Sequence, residues 1–195
     1  MIFINGGSGG VGLFAIQIAR YIVGETGKVV VSCSAPNHEL IKQYGADEAI
    51  DYTSVRLPSY LSQNYASSRF DLVLDTVGSF ELFYACPAFL KPRGEYILIA
   101  MGIPNSIGGL VAMFVNLVRT YLLPAILGGV PRRFKLSLMN VTEEAVQNVR
   151  RLIDQRAIKP VLDSVWEFTD EGVKDAYRKL MTVHARGKVV IKISD

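Results

Sequence analysis

A glycine-rich segment near the start of the chain carries the clearest residue spacing for chemistry. Residues 5–12 read NGGSGGVG, in which Gly7, Gly9 and Gly12 fit the G-x-G-x-x-G pattern. The segment follows a short apolar run and opens a stretch of helical periodicity, the context in which this pattern holds a dinucleotide. Glycines permit a tight turn and a close approach to a pyrophosphate, and unpaired helix amides favour an anion. The predicted contact residues are Gly7, Ser8, Gly9, Gly10, Val11 and Gly12.

Two other motifs overlap this segment. Residues 6–10, GGSGG, also match the G-x-S-x-G turn of serine hydrolases, with Ser8 as nucleophile and His184 and Asp163 downstream. That interpretation needs oxyanion donors from an earlier strand-to-helix loop, for which the preceding residues leave little room, so the hydrolase is the weaker alternative. A Walker-type loop would need Lys and then Ser or Thr after the last glycine, where the sequence has Leu and Phe.

The residues that end the second predicted strand bear on which dinucleotide would bind. An NAD site usually has an Asp or Glu there, about 20 residues after the loop, to bind the ribose hydroxyls. The strand predicted at 28–32 instead ends in Ser32, which is followed by Cys33 and Ser34. Because serine hydroxyls can donate to a 2′-phosphate that an acid would repel, Ser32 and Ser34 favour NADP, with NAD as the alternative.

Composition excludes several other functions. The 195 residues are 50% hydrophobic and carry a net charge of +3, which supports a buried core and gives no argument for nucleic acid. Two cysteines and two histidines are too few for a cysteine-based zinc site, so no metal ligand is assigned. Residues 107–130 are long enough to span a bilayer, but they include Arg119 and Pro124, so a membrane helix is not expected.

Predicted strands and helices alternate along most of the chain. The strands are predicted at residues 2–4, 28–32, 48–50, 70–75, 95–100 and 134–139, with a turn at 91–94. The helices are predicted at residues 11–23, 37–44, 58–65, 80–90 and 142–156, the last capped by Thr142. Such alternation indicates an α/β fold with a doubly wound parallel sheet of the Rossmann type.

The pattern changes near residue 157. Strands predicted at 161–168 and 188–193 flank a helix predicted at 170–181, and these strands need not join the main sheet. We therefore predict a dinucleotide-binding domain over residues 1–157 and a separate C-terminal segment over residues 158–195. The start inside a predicted strand leads us to expect further sequence upstream.

Several segments together resemble the medium-chain dehydrogenase/reductase superfamily. They are the glycine loop with its helix, residues 44–52 (YGADEAIDY), residues 70–78 (FDLVLDTVG) and residues 185–191 (ARGKVVI). Their order and spacing are similar to the zinc-independent branch of quinone reductases and enoyl reductases. The family carries an N-terminal catalytic domain of the GroES-like type, which this chain lacks. By this resemblance, the C-terminal segment would be left over from that second, β-rich domain.

The resemblance implies where a cofactor would lie, with its pyrophosphate on the glycine loop. The further implied contacts are Ser34 and Tyr52 at the adenosine ribose and 2′-phosphate, Thr76 and Val77 along the cofactor, and Ile99, Ala100 and Met101 near the nicotinamide. The family typically has Lys or Arg where Pro36 or Asn37 stands here. That departure bears on the strength of NADP binding and leaves dinucleotide binding unaffected.

The resemblance also implies a function. It indicates an NADP(H)-dependent oxidoreductase, or its cofactor-binding half, that reduces quinones or α,β-unsaturated carbonyls by hydride transfer without zinc. The alternative is a non-catalytic dinucleotide-binding remnant or a truncated gene product, and no catalytic residue is assigned. The expected partners are a small-molecule substrate and a second copy in a homodimer, and nucleic acid is not expected. Without a signal peptide the expected location is the cytoplasm, or the mitochondrion if a segment is missing upstream.

Overall fold

The computed structural model describes residues 1–99, 106–123, 127–137, 141–182 and 185–193. Its centre is a six-stranded sheet in which neighbouring strands are parallel. The strands are β1 (Ile2–Asn5), β2 (Val29–Cys33), β3 (Glu48–Asp51), β4 (Phe70–Asp75), β5 (Leu90–Leu98) and β6 (Arg133–Leu136). Their order is β3-β2-β1-β4-β5-β6, so the strand order reverses between β1 and β4. This order confirms the predicted Rossmann-type fold, in which ligands bind at the reversal point.

Apolar residues alternate along the strands and form two cores, one on each face of the sheet. The helices are α1 (Gly10–Val23), α2 (His38–Gln43), α3 (Leu57–Asn64), α4 (Phe80–Ala85), α5 (Ile107–Leu122) and α6 (Glu143–Asp154). Ile4 and Val31 belong to the core beneath α1 and α2, whereas Phe3 and Val73 belong to the core beneath α3 and α4. Helix α3 buries Leu61 completely in the second core.

The region around β5 differs from the prediction. The turn predicted at residues 91–94 is wrong, because β5 is one strand with an irregular register opposite β4. Pro92 cannot donate a hydrogen bond to a neighbouring strand, and an irregularity of this kind is where a strand tolerates it. The helix predicted to reach residue 90 ends early at Ala85, where Pro87 directs the chain into a short 3-10 helix.

Helix α5 occupies the first part of the stretch that was considered as a membrane candidate. Tyr84 of α4 holds it: the tyrosine hydroxyl donates to Asn116 Oδ1 at 2.8 Å, and its ring centroid lies 4.5 Å from the guanidinium carbon of Arg119. No helix in the described part of the chain is long and apolar enough to cross a membrane. Helix α6 begins as predicted, with Thr142 accepting a hydrogen bond at its N-terminus.

The last part of the chain forms a second, small sheet. Strands β7 (Leu162–Glu167) and β8 (Lys188–Lys192) pair in parallel, and α7 (Asp170–Met181) packs against both. Gln17 of α1 fixes the approach to β7, because its side chain donates to the Lys159 carbonyl at 3.1 Å and accepts from the Lys159 amide at 2.9 Å. The separate C-terminal strands are thus confirmed, while the domain boundary at residue 157 stays a prediction.

Candidate functional site

The glycine loop joins β1 to α1 and leaves no room for larger residues at three positions. Gly6 has a φ of +84°, in the left-handed region that favours glycine. A Cβ on Gly7 would lie 2.0 Å from Val31 Cγ1, and a Cβ on Gly12 would lie 2.2 Å from the Gly6 carbonyl oxygen. Backbone conformation at one position and close packing at two others therefore require glycine here.

The opposite side of the loop is open. Apart from Gly9 itself and its two chain neighbours, no described atom lies within 4 Å of the position that a Cβ on Gly9 would take. Helix α1 begins at Gly10, and the N–H groups of its first turn have no carbonyl one turn earlier to bind. These amides and the helix dipole favour an anion. The loop therefore fits a pyrophosphate group, which could approach the backbone at Gly9 and accept from the amides that follow.

A buried carboxylate lies beneath the loop that follows β4. Asp75 has no exposed surface. Its hydrogen-bond donors are the Asn5 carboxamide at 2.9 Å, the amides of Val77 at 2.9 Å, Gly78 at 3.0 Å and Ser79 at 2.7 Å, and the Tyr96 hydroxyl at 2.7 Å. Burial, and then the nearby Asp75 charge, raise the pKa of Tyr96 well above its usual value, so Tyr96 remains a donor. A buried carboxylate requires such a set of donors to stay charged.

Further hydrogen bonds link Asp75 to the glycine loop. Asn5 Oδ1 accepts from Ser32 Oγ at 2.7 Å, and Ser32 Oγ accepts from the Gly6 amide at 3.1 Å. Asn5 lies in register with Ser32 on one side and with Asp75 on the other, so the three side chains form a row across three strands. We call Gly6, Ser32, Asn5, Asp75 and Tyr96 the Asp75 network. Within it Ser32, a predicted cofactor contact, is fully buried and supports the loop from below.

Thr76 and Val77, which follow β4, contact the glycine loop directly. The Thr76 hydroxyl donates to the Asn5 carbonyl at 2.8 Å and lies 3.1 Å from the Gly6 carbonyl. The Val77 side chain is 58% exposed, and its Cγ2 lies 2.6 Å from the position that a Cβ on Gly6 would take. The structure thus places Thr76 and Val77, both predicted contacts, at the carboxyl ends of the central strands, beside the glycine loop.

The predicted adenosine contacts lie at the ends of β2 and β3. The Tyr52 amide donates to the Cys33 carbonyl at 3.4 Å, which brings the exposed Tyr52 close to Ser34. The Ser34 hydroxyl accepts from Asn37 Nδ2 at 3.0 Å. His38 begins α2 at the same place, and its buried Nε2 has no hydrogen-bond partner among the described residues. The sequence prediction did not include His38.

The predicted nicotinamide contacts are described only in part. The Ile99 amide donates to the Asp75 carbonyl at 2.8 Å, which places Ile99 just beyond β5 and next to the Asp75 network. Ile99 also lines an apolar groove of about 220 Å³ with Val11 and Phe14 of α1. Ala100 and Met101 lie outside the described residues.

Strands β7 and β8 with α7, which we call the C-terminal unit, border the glycine loop. The Gly187 carbonyl oxygen lies 3.0 Å from the position that a Cβ on Gly10 would take, and residues of both regions line a cavity of about 340 Å³. Lys188 reaches along α1, with its Nζ 5.6 Å from the Phe14 ring centroid. An exposed cation therefore stands beside the first turn of α1.

The residues of the alternative sites are positioned as follows. Asp163, considered as a hydrolase acid, accepts from the Arg186 amide at 2.7 Å and pairs with Lys179 at 3.4 Å, and His184 lies outside the described residues. Cys33 and Cys86 are both buried, and burial raises their thiol pKa values to about 11 and about 12. No group of three His, Cys, Asp or Glu side chains in the described ranges is arranged to hold a metal.

Comparison with known proteins gives consistent relatives. A family described as "Zinc-binding dehydrogenase" matches residues 44–191. Trans-enoyl reductase poxH of Penicillium oxalicum is 36% identical over 100% of this chain and 50% of that protein. The mitochondrial NAD(P)H oxidoreductase RTN4IP1 of Danio rerio is 28% identical over 100% of this chain and 49% of that protein.

Solved structures share the fold. The quinone oxidoreductase from Coxiella burnetii matches with a TM-score of 0.71 at 23% sequence identity, over 99% of this chain and 52% of that chain. The chain spans about half the length of the curated relatives it matches. The family match extends over more than half of the chain, and the sheet has the strand order expected of a nicotinamide dinucleotide-binding domain. The chain therefore belongs to the medium-chain dehydrogenase/reductase superfamily.

Proposed function

We propose that this chain is the cofactor-binding half of an NADP(H)-dependent reductase that acts on quinones or α,β-unsaturated carbonyls without zinc. The observation that carries the proposal is the glycine loop, whose open side at Gly9 and unpaired first-turn amides fit a pyrophosphate. The same carboxyl ends of the strands carry Thr76, Val77 and Ile99, which can line the rest of the cofactor. The names of the enoyl reductase and NAD(P)H oxidoreductase relatives support the reaction class.

The preference for NADP over NAD rests on the end of β2. Ser34 presents a hydroxyl there and no carboxylate follows β2 directly, so the ribose hydroxyl bonds typical of NAD lack their usual acceptor. His38 adds an imidazole close to where a 2′-phosphate would lie, with a ring Nε2 that has no partner among the described residues. Asp51 is the nearby acid, and the Thr53 hydroxyl and amide donate to its carboxylate and lower its pKa.

The residues of this chain would bind and orient the cofactor. Bound NADPH would supply a hydride to the β-carbon of an enone or to a quinone. The glycine loop would fix the pyrophosphate, while Val77 and Ile99 would exclude water from one side of the nicotinamide. No proton-transfer residue is assigned, because the titratable side chains nearest Ile99 in the described site, Asp75 and Tyr96, are buried and hydrogen-bonded to each other.

Binding and turnover measurements test this function separately. We expect the purified chain to bind NADPH more tightly than NADH in calorimetric titrations. Oxidation of NADPH in the presence of enones and quinones would support a complete reductase, whereas binding without oxidation would support the alternative of a non-catalytic binding module. Absence of binding to both dinucleotides would refute both versions.

The proposed assembly is a homodimer formed through the sheet edge. Strand β6 has one neighbour, β5, in the described sheet. Its Arg133 and Lys135 both pair with Glu95, at 3.6 Å and 2.8 Å, which partly neutralises the edge. Sedimentation at several concentrations tests this assembly, and a monomer at every concentration would rule it out.

We propose a cytoplasmic location, which fractionation of cells would test.

A further inference from the structure

Asp75 holds both loops that border the proposed dinucleotide site. Three consecutive amides of the loop after β4 donate to its carboxylate, and so does Asn5, the residue immediately before the glycine loop. The donors that bind it are all neutral groups, so no side-chain cation competes for the lone pairs of its oxygens. Hydrogen bonds to a charged acceptor are about twice as strong as those between neutral groups.

The hydrogen bonds of the Asp75 network run in one direction. The Asn5 carboxamide donates to Asp75, so its oxygen is free to accept from Ser32. The Ser32 hydroxyl proton is thereby committed to Asn5, which leaves a lone pair for the Gly6 amide. A charge at the end of such a chain polarises each bond along it. The orientation of the Gly6 amide thus depends on a carboxylate two side chains away.

The substitution Asp75→Asn would remove the charge and keep the shape of the side chain. It would nevertheless disturb both loops. An Asn at position 75 has a single acceptor oxygen, and its NH2 group would face groups that are themselves donors. If the NH2 faced β5, the Ser79 amide would lose its acceptor. If it faced β1, the Val77 and Gly78 amides would lose theirs. Either arrangement leaves buried donors unsatisfied, which the loops can relieve only by moving.

We propose that Asp75 is a positioning residue for the pyrophosphate and nicotinamide half of a bound dinucleotide. It acts through the glycine loop and residues 76–79 and does not touch the ligand. The adenosine end would lie at Ser34 and Tyr52, beyond the loops that Asp75 holds. The affinity for the adenosine end of the ligand should therefore not depend on the Asp75 carboxylate. This inference rests on the proposed function, since it assigns a role within that site.

Two ligands separate positioning from general stability. NADPH contains the pyrophosphate and the nicotinamide, whereas adenosine 2′-monophosphate contains only the adenosine and the 2′-phosphate. For Asp75→Asn we expect the Kd of NADPH to rise by about tenfold or more, and that of adenosine 2′-monophosphate to change by less than about twofold. The matched control is Leu61→Ala, which removes a fully buried side chain of α3 that makes none of the hydrogen bonds of the Asp75 network. It should lower the melting temperature and leave both Kd values unchanged.

A second variant decides the question if Asp75→Asn does not fold. Ser32→Ala breaks the link between Asn5 and Gly6, and we expect it to raise the Kd of NADPH by about threefold or more with little effect on the Kd of adenosine 2′-monophosphate. Equal weakening of both ligands, or no weakening of either, in the variant that folds would overturn the positioning role. If the wild-type chain bound neither ligand, the proposed function itself would fail, a result distinct from a failure of Asp75 alone.

Discussion

The carboxamide of Asn5 donates to the carboxylate of Asp75 at 2.9 Å, and this bond joins the ends of the two central strands. The two residues are register partners at the carboxyl ends of β1 and β4, where the strand order reverses. Each is followed directly by a loop that borders the candidate site. The same bond therefore contributes to the stability of the sheet and to the relative position of the two loops.

The first prediction concerns the stability that Asn5 contributes. Asn5→Ala removes one donor from a buried charge and the acceptor of Ser32, so we expect a loss of about 2–3 kcal/mol in the free energy of unfolding. Urea denaturation at neutral pH measures it. Asn64→Ala is the control, because Asn64 makes an exposed hydrogen bond to Tyr60 on α3 and should cost about 0.5 kcal/mol or less. Equal losses in the two variants would contradict the role of the network.

The second prediction uses two glycines with opposite surroundings. Gly12→Ala places a Cβ 2.2 Å from the Gly6 carbonyl oxygen, so we expect a loss of about 1–3 kcal/mol and weaker NADPH binding. Gly108→Ala lies in α5, where the new Cβ would have no atom within 4 Å apart from its chain neighbours and the nearby helix backbone. It should stabilise the chain by about 0.5–1 kcal/mol. Thermal unfolding and NADPH titration measure both effects. Tight binding by Gly12→Ala would argue against a pyrophosphate on this loop.

Part of this site follows from sequence and part does not. Glycine spacing between a strand and a helix locates the loop, because each step is local in the chain. The Asp75 network is harder to predict, because it joins residues that only strand register brings together. A usable signal exists: Asn5 and Asp75 are polar residues that end apolar strands, and alternation places them on the same face as Phe3 and Val73. The same alternation turns Ser32 inward, away from the expected ligand.

The third prediction concerns acid sensitivity at β3. Burial acts to raise the pKa of Glu48, but hydrogen bonds from Lys28 and Tyr65 outweigh it and lower that pKa. A lowered folded-state pKa contributes stability above the unfolded value, about 4.3 for Glu, which is lost as the pH falls through the folded value. Glu48→Gln should therefore lose less stability than wild type between neutral pH and about pH 3, by up to about 1 kcal/mol after solvent screening.

Urea unfolding at several pH values measures this difference. The control is Glu25→Gln, an exposed residue in the turn between α1 and β2. It should follow the wild-type curve. A Glu48→Gln curve parallel to wild type throughout the acid range would show that the Lys28 and Tyr65 bonds do not depend on the charge.

The fourth prediction concerns the end of α6. Arg156 has a φ of +55° and follows the helix, with its amide bonded to the Ile153 carbonyl at 2.9 Å. Glycine adopts this conformation without the steric cost of a Cβ, so Arg156→Gly should stabilise the chain by about 1 kcal/mol. Arg151→Gly, inside the same helix, should destabilise it by about 1 kcal/mol. Chemical denaturation measures both, and the same sign for the two variants would contradict the assigned helix end.

The fifth prediction concerns the attachment of the C-terminal unit. Gln17 is 7% exposed and holds both backbone groups of Lys159, so Gln17→Ala should free the Lys159 amide. We expect faster hydrogen exchange in a peptide that covers residues 157–163, with a loss of about 1–2 kcal/mol in global stability. Gln63→Ala, at an exposed position on α3, should leave exchange there unchanged. Because the C-terminal unit borders the glycine loop at Gly187, the same variant should also weaken NADPH binding if this unit helps to close the site. Unchanged exchange in Gln17→Ala would mean that other contacts hold the segment.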